Sequence, residues 1–75
     1  MTKLPILSAH KVIKALNGIG FEVLSQKGSH IKMKMITSNE TFTVIIPNYN
    51  EVPVGTLRSI IRQAGLSPDD FIKLL

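Results

Sequence analysis

Seventy-five residues, with nine Lys and Arg against five Asp and Glu and a net charge of +4, make one domain over residues 1–75 with no room for a separate cofactor-binding unit. The absence of cysteine excludes a disulfide framework, thiolate zinc sites and cysteine nucleophiles. No apolar run approaches the ~18–20 residues of a membrane span, and the basic balance points to a polyanionic partner.

A chain this short buries only roughly 60–65% of the surface its unfolded form exposes, so self-association or a tight partner is a natural source of further burial. The opening stretch Met1-Thr2-Lys3-Leu4-Pro5-Ile6-Leu7 is too short and too interrupted for a signal peptide, and a soluble cytoplasmic protein is expected. With one Tyr and no Trp, the chain is poorly supplied for stacking on several successive bases.

Leu4 and Ile6 are expected to pack back onto the start of a first helix. Ser8 caps that helix, which reads from Lys11 to Gly18 with an apolar stripe at Val12, Ile13, Leu16 and Ile19. Gly18 and Gly20 are its stop signals. Phe21–Gln26 reads as a first strand and Lys27-Gly28-Ser29 as a turn. Residues 30–37 form a second strand and Ser38-Asn39 a second turn. Glu40–Ile46 is a third strand rich in β-branched residues, ended by Pro47. A loop holding Tyr49 and Pro53 follows. A second helix starts at Gly55-Thr56, with Leu57, Ile60, Ile61 and Ala64 on its apolar stripe, and Gly65 closes it. Ser67-Pro68-Asp69-Asp70 opens a last short helix with a serine cap, an early proline and acids in the first turn.

The expected fold class is therefore α+β. Three strands form an antiparallel meander in the order α-β-β-β-α(-α), with the helices on one face of the sheet. Ile31, Met33, Met35, Phe42, Val44 and Ile46 supply that face, and the opposite face is expected to be polar and basic.

Strand alternation puts His30, Lys32 and Lys34 together on the open face. Imidazole titrates near neutrality and moves protons in either direction. Lysines beside it neutralise phosphate. RNA carries its own nucleophile in the 2′-OH, so such a face suits phosphodiester cleavage without metal. Gly28 serves turn geometry first and opens backbone N–H groups to a phosphate as a consequence. Ser29 either donates to a phosphate oxygen or bonds its own turn. Lys27 and the Lys32/Lys34 pair suit phosphate contact or a plain solvated strand face. Arg58 and Arg62, one helical turn apart, suit either a phosphate backbone or a charged helix surface. His10 reads as a surface residue. No Asp or Glu cluster joins the two histidines as a metal site.

Three segments together carry a family resemblance: Gly20-Phe21, then Gln26-Lys27-Gly28-Ser29-His30, then Gly55-Thr56-Leu57-Arg58-Ser59-Ile60-Ile61-Arg62-Gln63-Ala64-Gly65-Leu66-Ser67. The chain resembles the HicA toxins of toxin–antitoxin pairs from the first helix to Phe71. The resemblance implies a double-stranded-RNA-binding-domain-like fold. It also implies an mRNA endoribonuclease toxin of type II systems, silenced when a HicB antitoxin covers its site. The family's catalytic histidine falls on His30, and Gly28 and Ser29 match its flanking motif. No metal or organic cofactor is implied. The implied partners are mRNA and a HicB-like antitoxin, in a homodimer or a hetero-oligomer with that antitoxin. Two positions depart from the pattern. Ser25 stands where many members carry arginine, which removes a phosphate contact. Tyr49 stands where many carry histidine, which removes a second acid/base candidate. The alternative reading is a non-catalytic RNA-binding domain that reads duplex shape through Arg58, Arg62 and the basic face.

Overall fold

A computed structural model describes residues 3–75. Met1 and Thr2, which open the segment read above as too short for a signal peptide, lie outside the described residues. The elements are α1 (Ala9–Asn17), β1 (Glu22–Lys27), β2 (His30–Ile36), β3 (Thr41–Pro47), α2 (Val54–Gln63) and α3 (Pro68–Ile72). The strands form an antiparallel meander in the order β1-β2-β3. The α+β class and the element order are those read from the sequence. No helix among the described residues is long and apolar enough to cross a membrane.

α1 starts at Ala9, two residues before the expected Lys11. The cap explains the difference. The Ser8 hydroxyl accepts the Lys11 amide at 3.3 Å, and an N-cap serves the amide two or three positions into the helix. Both expected stop signals act: the helix ends at Asn17 with Gly18 at its cap, and Gly20 supplies the left-handed residue. Gly18 remains right-handed, whereas Gly20 has φ +114. The Phe21 amide donates to the Leu16 carbonyl at 3.1 Å and the Gly20 amide to Asn17 at 3.2 Å, which closes the last turn as a Schellman motif. Ahead of α1, Leu4 and Leu7 are buried and Ile6 is exposed, so Leu7 fills the role expected of Ile6.

The core lies between the helices and one face of the sheet. Val12, Leu16, Phe21, Met33, Val44, Ile46, Leu57 and Phe71 are fully enclosed there. Met35 and Phe42 pack at its margin. α1 and α2 lie against β3 and α3 packs on α2, while every residue of β1 is exposed. Among the described residues no polar or charged side chain is buried, so every group capable of chemistry sits at the surface.

β1 departs from simple alternation. Its register on β2 runs Lys27–His30, Gln26–Ile31 and Ser25–Lys32, then resumes at Val23–Met33 and Glu22–Lys34. Leu24 is the extra residue of a β-bulge, which shifts everything before it to the opposite face. The β2–β3 turn is closed by Thr37. Its hydroxyl accepts the Glu40 amide at 2.9 Å, and its own amide donates to the Glu40 carbonyl at 2.8 Å.

α2 begins at Val54, one residue before the expected Gly55, with Pro53 at its cap position and no side-chain cap. Ser67 caps α3 as expected, accepting the Asp70 amide at 3.1 Å. Gly65 ends α2 with φ +77, and a Cβ there would lie 2.6 Å from Phe42 Cε1. Gly28 also has a positive φ, of +59, but a Cβ there meets nothing within 4 Å. The two glycines therefore predict different outcomes. Gly65→Ala combines left-handed strain with overpacking and is expected to cost about 2–4 kcal/mol. Gly28→Ala carries the backbone term alone, about 1–2 kcal/mol. Urea unfolding of the two variants checks this, and equal midpoints would contradict it.

Candidate nucleic-acid interface

The face of the sheet away from the helices is built in rows. Cross-strand partners share a face, so the register fixes each row. The first row is Lys27, His30 and Pro47; the second is Ser25, Lys32 and Ile45; the third is Glu22, Lys34 and Thr43. Ile36 and Thr41 make a fourth. His30, Lys27 and Lys32 are exposed, and Lys34 is half-buried.

His30 follows a two-residue turn. Gly28 takes a positive φ, and among the described residues no non-glycine residue does, Ser29 included. That is the pattern of a type II′ hairpin, with glycine first. Lys27 is the last residue of β1 and faces His30 directly across the hairpin, rather than lying in the turn. Such neighbours have Cβ atoms about 4.5–5.5 Å apart. Lys32 lies about 7 Å further along β2 on the same face. The open space around Gly28 leaves the main chain of the turn uncovered beside these groups.

The turn is also held from the far side. The Asn48 amide donates to the Ser29 carbonyl at 2.6 Å, which ties the loop after β3 to the residue preceding His30. That loop is fastened in turn to α1 and to the segment before it. The Ala9 amide donates to the Tyr49 carbonyl at 2.9 Å, and the Val52 amide to the Leu7 carbonyl at 2.8 Å. Tyr49 is half-exposed and lies two residues beyond Pro47, the cross-strand partner of His30.

The sequence residues do not all meet. Lys27, Gly28, Ser29, His30 and Lys32 form one patch. Lys34 shares the face, but Glu22 stands opposite it, so the positive charge is concentrated toward the His30 end. Arg58 and Arg62 belong to α2, in the layer packed on the opposite face of the sheet, where Leu57, Ile60 and Ile61 are buried. His10 is exposed on α1. The outer face is also less polar than expected, because Ile36 and Ile45 stand exposed on it. Strand alternation alone reveals those two isoleucines. Glu22 was hidden by the bulge, and the Asn48–Ser29 bond is made by main-chain atoms, which leave no residue signature. Among the described residues no group of three or more His, Cys, Asp or Glu is placed to hold a metal ion.

The turn, the histidine and the basic rows all fall within a stretch that matches a known family. Residues 9–66 match the family described as HicA toxin of bacterial toxin–antitoxin. The chain belongs to the HicA toxin family. The match runs from the first residue of α1 to just past the Gly65 stop of α2, so it takes in the whole sheet. No individual curated protein matches the chain. HicA toxins are in general mRNA-cleaving interferases, and membership implies that this chain pairs with an antitoxin. The Gln26–His30 hairpin and the Gly55–Ser67 helical stretch, which carried the resemblance in sequence, are separate parts of the fold. The hairpin lies on the open side of the sheet, and α2 lies in the helical layer.

Proposed function

We propose that this HicA chain is an mRNA endoribonuclease that works without metal, with His30 moving the proton. The carrying observation is the row geometry. One exposed imidazole stands beside two lysines, at a turn whose main chain is uncovered. In this reading His30 takes the proton from a ribose 2′-OH, and that oxygen attacks the adjacent phosphorus. The P–O5′ bond breaks and the 5′-oxygen leaves with a proton. Lys27 and Lys32 neutralise the phosphate oxygens, and the turn amides at Gly28 and Ser29 approach them closely. Lys34, offset by Glu22, contributes less. Arg58 and Arg62 hold a flanking part of the RNA from the helical layer. A HicB-like antitoxin silences the site.

The test is the chemistry of the ends. RNA incubated with the purified protein in chelator is expected to give fragments ending in 2′,3′-cyclic phosphate or 3′-phosphate, with 5′-OH partners. Fragments with 5′-phosphate ends, or cutting only after a divalent metal is added, would overturn the mechanism.

One observation favours a second reading. The cross-strand partners of His30 are Lys27 and Pro47, so neither neighbouring strand sets a carboxylate or a second imidazole directly opposite it. A binding module would behave differently in the same tube. It would retain RNA in a salt-dependent manner and leave it intact after long incubation.

A further inference from the structure

The end of the sheet farthest from His30 presents surface that phosphate chemistry does not use. Gly20, Glu22, Val23, Leu24, Lys34 and Ile36 line a groove of about 380 Å³ beside the β1 edge. Leu24 and Ile36 are 57% and 73% exposed, whereas Val23 pairs with the buried Met33 and borders the groove from the helical face. The bulge creates this surface. Leu24 is the inserted residue, and a bulge re-aims side chains out of the regular pleat. Glu22 and Val23 precede it and are displaced by one register position. Ile36 reaches the groove by ordinary alternation from Lys34. β1 is an edge strand with every residue exposed, and such an edge presents a row of main-chain N–H and C=O groups.

Charge selects what fits there. Ile36 lies about 20 Å along β2 from His30. Between them runs the row of Lys34, Lys32 and His30, with Lys27 beside it. RNA gains nothing from the exposed apolar side chains of Leu24 and Ile36. A second copy of this chain would bring its own net +4 and its own lysine row to the same surface. An acidic protein with an apolar anchor matches both parts: the anchor fills the groove, and its carboxylates follow the lysines toward His30.

We propose that this groove is where the antitoxin grips the toxin, about 20 Å from the residue it silences. The inference rests on the pairing with an antitoxin stated above. Its consequence is separability: the grip and the cover are different places, so the toxin can lose antitoxin control while keeping its chemistry.

Leu24→Gln and Ile36→Thr remove apolar surface without changing charge, at exposed positions. Calorimetric titration with a cognate HicB-like antitoxin is expected to show about tenfold weaker binding for each variant, and more for the pair. RNA cleavage rates and thermal melts are expected to match wild type. If Leu24→Gln lowers the melt, Ile36→Thr alone decides. Unchanged affinity in the double variant would overturn the proposal. So would a dimer of the chain alone, seen by sedimentation and dispersed by Ile36→Thr, because the occupant would then be a second copy. Calorimetry uses no RNA, so failure of the endoribonuclease reading leaves this result standing.

Discussion

Alanine at position 30 is expected to slow RNA cleavage by at least ~100-fold, the range set by the loss of one positioned acid or base. The variant should melt within about 3 °C of wild type, because the side chain is exposed and surface substitutions rarely move stability further. The two measurements belong together. His30 is the first residue of β2 and pairs with both Lys27 and Pro47, so a loss of activity with a lowered melt would report a damaged hairpin. A loss with an unchanged melt assigns the effect to the imidazole. RNA binding supplies the third reading. Lys27 and Lys32 remain in the variant, so its affinity and salt dependence should stay close to wild type. Equal cleavage by wild type and His30→Ala would remove the histidine from the mechanism.

Phe71→Ala is expected to be the most damaging single change to the fold. Phe71 is fully buried on a helix of only five residues, a length that does not persist without tertiary support. Removing the ring costs about 3–5 kcal/mol. A chain of this size is expected to have about 4–11 kcal/mol in total, at roughly 0.05–0.15 kcal/mol per residue. The melt should therefore fall by on the order of 15–30 °C. A shift under about 5 °C in calorimetry would show that the core closes without this residue. Phe71 also lies outside the stretch 9–66 that matches the family, as do the buried Leu4 and Leu7. The recognisable part of the chain is thus smaller than the part that folds.

Much of the architecture was legible because the signals were local. The Ser8 and Ser67 caps and the apolar stripe of α2 each involve residues within a turn or two of one another. β2 ends at Ile36, one residue short of the expected 37, but it has no irregularity, so period-two alternation predicts both its buried row and its His30 row. β1 was not legible in the same way. A bulge is fixed by how two strands accommodate each other, and a single inserted position at Leu24 moved Glu22 onto the basic face. Ile6 and Leu7 are equally apolar, and which of them turns inward depends on where Val52 holds the chain. Arg58 and Arg62 were correctly read as off the α2 stripe. Only the layering puts them across the sheet from His30.

The frame around His30 is made by main-chain atoms: the Asn48 amide on the Ser29 carbonyl, the Ala9 amide on the Tyr49 carbonyl, and the Lys27–His30 hairpin pair. None of these bonds uses a side-chain atom of residue 48 or 49, and only proline at 48 would remove one. Positions in that loop are therefore free to exchange their chemistry while the imidazole keeps its address. A change of side chain at Tyr49 then alters what stands near the His30 row and leaves the turn where it was. A scaffold of this kind lets the side chains of the loop vary without rebuilding the fold beneath them.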